Sequence, residues 1–354
     1  MKFNLGRVDA FLKGISGKDR VAIVHDVDPD GILSAVILAK CVKKLRNRKP
    51  ELVMPFDKQE YSISDSSFKR MRQKRINKLI ISDFSPDQNP ALVRKLSKYD
   101  VLIIDHHKIY KDLNSKHIVF VKPQLFCNID PARYCSAKLA YDLCSRVCDM
   151  SDCDWLAASA SIADVATAPW RRWLNKVMKK YCIKPKKDLF QTDLGRVAVV
   201  INSVAIVAPR SIPKCFEAAY RAKGPKDILK SGLDKCRRLI DKELDFWLKE
   251  FRKCEKYKDV YFFMVSPKYH IKSALSTILG LKYPHRTILV MDRKNGSIAV
   301  SARRGDQKVA VNTLLEKAIK GFSFANAGGH VPAAGARFLA KDLDLFKKRV
   351  IAQV

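Results

Sequence analysis

No stretch of this 354-residue chain approaches the run of about twenty apolar residues that a membrane-spanning helix needs, so a soluble protein with no membrane partner is expected. The N-terminal segment lacks the uninterrupted apolar core of a signal peptide, because Lys2, Arg7, Asp9, Lys13, Lys18 and Asp19 break it up. A cytoplasmic location is expected. The ten cysteines lack the paired Cys-x-x-Cys spacing of a structural zinc site, and a chain this long needs no disulfide staples. Free, mostly buried thiols are expected, and the cluster Cys144, Cys148 and Cys153 reads as helix packing. There is no internal repeat and no low-complexity tract. Acidic residues are scarce: 36 Asp and Glu stand against 68 Lys and Arg, a net charge of +32 that attracts polyanions and holds them through counterion release.

What is present suits a folded enzyme. Hydrophobic residues make up 47% and aromatics 9%, enough for a core, and a chain of this length more often divides into two lobes than builds one. Val21 to Val24, Leu79 to Ile81, Val101 to Ile104 and Ile118 to Val121 read as buried strands, and helical patterns follow at Ile32 and near Ala91. Strands alternating with helices predict a mainly parallel α/β sheet. Ser136 to Val147 and Asp154 to Val165 read as further helices that close the first lobe, taken as residues 1–170. From Arg171 to Lys187 there are eight basic residues and no acidic one, with Trp170, Trp173 and Tyr181 among them. The segment reads equally as a nucleic-acid face or as an exposed basic helix with its aromatics in the core. It opens a basic helical connector over 171–258. Strand patterns at Tyr261 to Val265, Thr287 to Met291 and Ser297 to Ala302, with the Asn295-Gly296 hairpin step, predict a smaller α/β lobe over 259–354.

Chemistry concentrates at strand ends, where ligands bind in parallel sheets. His25-Asp26-Val27-Asp28-Pro29-Asp30-Gly31 follows the first strand, Asp83 the second and Asp105-His106-His107 the third. Alternation along an extended segment would put Asp28 and Asp30 on one side, and Gly31 would permit a sharp entry to the helix. Any one such acid is usually a helix cap, but several in register are what a pair of hard cations needs. Asp164, expected inside a helix with apolar neighbours, must pair, cap or bind metal. Four of the seven histidines lie in the segments singled out; His117, His270 and His285 read as structural.

The stretches HDVDPDGILSA, SDFSPD, IDHHK, SIADVA and GGHVPAAG resemble, in order and context, the five signature segments of the DHH phosphoesterases. That superfamily includes RecJ-type exonucleases, nanoRNases with nucleotide phosphatase activity and cyclic-dinucleotide phosphodiesterases. The resemblance covers the first and last lobes and is weakest between about Arg171 and Lys258. It implies two divalent cations, manganese first and magnesium as the alternative, about 4 Å apart and clamping an in-line attack on phosphorus. One ion would be held by His25, Asp28 and Asp83, the other by Asp30, Asp83, His106 and Asp164, with Asp83 bridging. Asp26 intervenes between His25 and Asp28 and could replace His25. The resemblance makes Asp105 the carboxylate that orients an imidazole and puts His107 beside the scissile phosphate. It likens Gly328-Gly329-His330 to a phosphate-gripping loop, with one glycine fewer than is common, and Arg303 to a substrate-binding arginine. The surplus charge favours a nuclease on single-stranded DNA, RNA or short oligonucleotides. A nucleotide phosphatase acting on 3′,5′-bisphosphoadenosine or a cyclic-dinucleotide phosphodiesterase is the runner-up, and an inactive nucleic-acid-binding scaffold the third reading.

Overall fold

Val21–His25 (β1) is a run of β-branched and apolar residues buried from end to end, and it forms the second strand of a parallel sheet. The computed structural model describes residues 3–57 and 60–354. Its chain divides into two compact units, Met1–Arg237 and Arg238–Val354. In the first, β1 is joined by Leu52–Pro55 (β2), Lys78–Ser82 (β3), Asp100–Ile104 (β4) and Ile118–Val121 (β5), in the order β2-β1-β3-β4-β5. Every neighbouring pair is parallel.

Strand alternation sends the two sides of this sheet to two cores. Ile23, Ile80, Leu102 and Ile104 join one core with helices Pro29–Arg46, Ser136–Ser145, Asp154–Ala163 and Asp193–Val207. Ala22, Val24, Leu79, Ile81, Val101 and Ile103 join the other with helices Asp65–Gln73 and Pro90–Leu96. The helix that follows β1 is well specified locally. Asp28 caps it by accepting the Gly31 N–H at 2.9 Å, Pro29 stands in its first turn, and Lys43, Lys44 and Arg46 face the negative end of its dipole.

Residues 171–258 are largely helical, and the two units share them. The basic helix Arg171–Lys180 buries Leu174, Val177 and Met178, while Trp170, Trp173 and Tyr181 pack against the first unit's core. Trp170 and Trp173 flank the Lys138 ammonium, at 4.2 and 4.6 Å from their ring centroids. The aromatics thus serve the core, the second of the two readings of that segment.

The second unit is built on a six-stranded sheet. Its strands are Glu255–Tyr257 (β6), Val260–Val265 (β7), Thr287–Lys294 (β8), Ser297–Arg303 (β9), Asn326–His330 (β10) and Ala333–Leu339 (β11), in the order β10-β11-β9-β8-β7-β6. Only β7 and β8 pair in parallel. One face packs on helices Val311–Ile319 and Leu343–Ile351, and Phe263, Ile288 and Val290 on the other pack on helix Lys272–Lys282. Asn295 and Gly296, at φ 49° and 73°, make the β8–β9 hairpin turn that the Asn-Gly step announces. Among the described residues no helix is long and apolar enough to cross a membrane.

Candidate metal centre

His25, Ser82 and Ile104 are register neighbours at the carboxyl ends of β1, β3 and β4, so the polar residues just beyond these strands meet at one edge of the sheet. The segment after β1 is not extended, in contrast to the alternation expected from sequence. Asp28 is the N-cap and Asp30 already lies in the helix's first turn, because Pro29 supplies a ready-made first helical φ. Gly31 is required by close approach, since a Cβ there would stand 2.5 Å from the Asp26 carbonyl oxygen. Asp30 is buried, and its carboxylate accepts the Ser136 and Ala137 N–H groups at 2.7 and 2.8 Å, at the N-terminus of helix Ser136–Ser145.

Asp83 sits in left-handed backbone (φ 57°) at 2% exposure and accepts a hydrogen bond from Ser136 Oγ at 3.0 Å. Burial, then the charges of Asp30, Asp28, Asp105 and Asp164, pushes its carboxyl well above the ordinary carboxylate range. Asp164 is the residue after helix Asp154–Ala163 rather than inside it, because Val165 takes φ 54° and ends the helix. Burial and the neighbouring aspartates raise its carboxyl to about 9.

His106 stands among these acids. Its Nε2 lies 3.5 Å from Asp83 Oδ1, 3.7 Å from Asp164 Oδ2 and 4.0 Å from Asp30 Oδ2. Its Nδ1 lies 3.1 Å from the Pro131 carbonyl, which can only accept, so in the neutral ring the proton belongs on Nδ1 and the Nε2 lone pair faces three carboxyl groups. Lone pairs converging on one spot suit a cation. Ligand atoms of Asp26, Asp28 and Asp83 also lie within 4.8 Å of one another, as do those of Asp30, Cys135 and Asp164 and those of Asp83, His106 and His107. The Cys135 thiol is pushed well above its ordinary value by burial and by Asp30 and Asp164, which keeps it protonated and a poor ligand.

His25 joins none of these groups among the described residues. It shares a strand face with Ile23, and its ring stacks on Phe216 with centroids 6.4 Å apart. Burial lowers its pKa to about 4, leaving the imidazole neutral. Asp26, the alternative left open by the sequence, stands beside Asp28 and Asp83 instead.

Asp105 is fully buried, and its Oδ1 accepts from His107 Nδ1 at 2.7 Å. Oδ2 takes Ser85 Oγ at 2.8 Å and the buried Lys122 ammonium at 2.7 Å. Burial alone would raise the Asp105 carboxyl, but the hydrogen bond from His107 and the charge of Lys122 outweigh it and hold it well below the ordinary range. Asp105 in turn raises the pKa of His107, whose side chain is half-exposed. Sequence reasoning missed Ser85, Lys122 and Ser136. Lys122 leaves one faint signal, a lysine closing the buried strand Ile118–Val121.

Of the residues singled out in the second unit, Arg303, Gly328 and His330 share one face of its sheet. Ile288, Arg303, Ala333 and His330 form one cross-strand row. Gly328-Gly329-His330 is strand β10 rather than a loop, paired with β11. Gly329 (φ 138°) must be glycine, because a Cβ would stand 2.6 Å from the Ala333 carbonyl oxygen, whereas a Cβ on Gly328 would meet nothing within 4 Å. The Arg303 guanidinium is held by neutral acceptors alone, among them Ala302 O at 2.9 Å and Thr277 Oγ1 at 3.2 Å. No carboxylate among the described residues cancels its charge.

Residues 20–168 match the family described as DHH family, N-terminal domain. No curated protein matches the sequence. Among solved structures, the chain is similar to an exonuclease RecJ bound to manganese, with TM-score 0.70 and 17% identity over 100% of this chain and 94% of that one. It is also similar to RecJ from Thermus thermophilus in complex with Mn2+, with TM-score 0.68 and 18% identity over 99% of this chain and 54% of that longer one. CDC45 from Entamoeba histolytica shares the fold at TM-score 0.52 and 11% identity, over 98% of each chain.

Proposed function

From the premise that residues 20–168 form a DHH-family N-terminal domain, we propose that the chain is a metal-dependent phosphodiesterase acting on single-stranded nucleic acid or short oligonucleotides. The observation that carries this reading is a crowd of buried carboxyl groups around an imidazole lone pair. Among the described residues no lysine or arginine pairs with Asp30, Asp83 or Asp164, although the chain holds 68 such cations. Buried carboxylates of one sign are costly unless a cation joins them. We assign one divalent ion to Asp26, Asp28 and Asp83 and a second to Asp30, Asp83, His106 and Asp164, with Asp83 shared. Mixed carboxylate and imidazole donors suit manganese, and magnesium is the alternative. Bound there, the ions would supply charge neutralisation, a polarised phosphoryl oxygen and water activated near neutral pH.

The chain's own groups do the positioning. His107 offers the nitrogen not bound to Asp105 to a phosphate oxygen beside the acids, and the Lys122–Asp105 contact fixes the ring. In the second unit, Arg303, Gly328, Gly329 and His330 would hold a phosphate that does not react, through the uncancelled guanidinium and N–H groups not screened by side chains.

A panel of end-labelled RNA, DNA, dinucleotides and 3′,5′-bisphosphoadenosine, assayed with manganese and then with chelator, tests the reading. Metal-dependent cleavage that favours the oligonucleotides is expected. Turnover of the bisphosphate alone would replace the substrate class, and no turnover of any substrate would overturn the proposal.

A further inference from the structure

The same face of the second sheet carries a second group of cations that the reading above does not use. Asp292, Ala299, Arg337 and Asn326 form a cross-strand row four residues along β9 from the Arg303 row, a separation of about 13 Å at ~3.3 Å per residue. Over it lies a cavity of about 460 Å³ into which His270, Lys272, Lys294 and Arg337 bring positive charge or N–H donors, with Asp292 its one carboxylate. Asp292 Oδ2 is taken by Lys294 at 3.3 Å. Arg337 has no hydrogen bond or ion pair among the described residues. Lys272 is half-buried beside it; burial lowers its ammonium pKa, Asp292 opposes, and Arg337 and Lys294 add to the lowering. Like charges gathered around one recess are relieved by an anion from outside.

Between the two rows only the glycine strands are bare, since Ser301 on β9 is buried, with Ser276 Oγ at 2.9 Å and the Arg303 guanidinium at 3.3 Å. Ser301, Gly335 and Gly328 are register partners there. A Cβ on Gly328 would meet nothing within 4 Å and one on Gly335 only the Val300 carbonyl oxygen at 3.5 Å, and neither glycine has a left-handed φ. Nothing inside the protein requires their missing side chains, which leave room for a ligand lying flat on the sheet. At the Arg337 end, Phe324 stands two residues before Asn326, at 91% exposure and φ 53°. A bulky side chain in left-handed backbone that packs on nothing is strain without an internal return.

We propose that the cavity lined by Lys272, Lys294 and Arg337 is a second phosphate subsite for a single-stranded polynucleotide, whose backbone crosses the glycine strip from Arg303 and stacks a base on Phe324. The subsite deepens the nuclease reading and rests on it for the identity of the strand. It selects for length, since a decamer can cover the cavity, the glycine strip and Phe324 together while a dinucleotide cannot.

Fluorescence anisotropy of a 5′-fluorescein thymidine decamer and dinucleotide, in chelator and over a salt series, tests this without requiring hydrolysis. In Lys272→Gln/Arg337→Gln, decamer affinity should fall roughly tenfold or more, and the slope of log affinity against log salt should shrink by about 1.4, or ~0.7 per lost phosphate contact. Phe324→Ala should cost the decamer about tenfold. With manganese, the decamer-to-dinucleotide ratio of kcat/KM should drop in all these variants. If the double variant does not fold, Arg337→Gln alone, an exposed side chain without hydrogen-bond or ion-pair partners among the described residues, carries the test at half the slope change. Unchanged decamer affinity and slope overturn the subsite, as does an equal loss for both lengths. Decamer binding that fails in the charge variants, by a protein that hydrolyses nothing, supports the subsite while sinking the phosphodiesterase reading.

Discussion

Asp83→Asn should stabilise the protein without metal and destabilise it with metal. In the metal-free chain the Asp83 carboxyl is buried at 2% exposure among Asp30, Asp28, Asp105 and Asp164. Replacing it by a neutral isostere removes a charge that no lysine or arginine among the described residues faces, worth about 1–3 kcal/mol. The carboxyl already escapes part of this repulsion by taking a proton, which places the gain toward the lower end. Asparagine tolerates the left-handed backbone there and can still accept from Ser136 Oγ, so the variant adds neither strain nor a lost hydrogen bond. For a unit the size of Met1–Arg237, ~1 kcal/mol moves Tm by about 2–4 °C, so the metal-free variant should melt roughly 2–6 °C above the parent. Manganese at about 100 times its Kd should stabilise the parent by ~2.7 kcal/mol per site, or roughly 5–10 °C. The variant, lacking the shared ligand, should lose most of that shift. Differential scanning fluorimetry with chelator and with manganese reads both signs. A variant that melts below the parent in chelator, or gains as much from manganese, refutes the assignment of Asp83 to a cation site.

Asp105→Asn should lower kcat by about 10–100-fold in the oligonucleotide assay, because it loosens the 2.7 Å hold on His107 while leaving the cation ligands in place. Gly329→Ala should cost a few kcal/mol in denaturant unfolding, since its Cβ would collide with the Ala333 carbonyl at φ 138°, whereas Gly328→Ala should leave stability within about 0.5 kcal/mol. Glu51→Gln should narrow its stability deficit in acid. Burial raises the Glu51 carboxyl, but Arg46 and the Val21 N–H outweigh this and hold it below 4.5. Its contribution is therefore full above pH 4.5 and is lost as pH falls through the lower folded value. Urea melts of parent and variant should converge below that pH and separate at neutrality; a constant gap would contradict the pairing.

Much of the fold was legible because the runs Val21–Val24, Leu79–Ile81, Val101–Ile104 and Ile118–Val121 are buried on both faces and leave no ambiguity of period. β2 was not, as four residues ending in Pro55 carry too little pattern. The convergence of Asp30, Asp83 and His106 followed from parallel strands ending in register, whereas Asp164, at the end of a helix, was placed with them by the family resemblance alone. The choice between His25 and Asp26 did not, because it depends on which face His25 takes and on Phe216 far along the chain. The backbone from Asp28 to Asp30 was misread as extended where Pro29 starts a helix, although both carboxylates lie in the cluster. Ser136 matters through a tertiary contact that no local pattern encodes, and Lys122 through one announced only by its place at the end of a buried strand. His270, set aside as structural, lines the second basic cavity.

The most direct test of the account is a manganese titration followed by electron paramagnetic resonance on the parent chain and on Asp83→Asn. Two bound equivalents per chain with an exchange-coupled spectrum are expected for the parent, and loss of coupling for the variant. A parent that binds a single uncoupled ion, or none, would contradict the claim that these aspartates and His106 share a pair of cations.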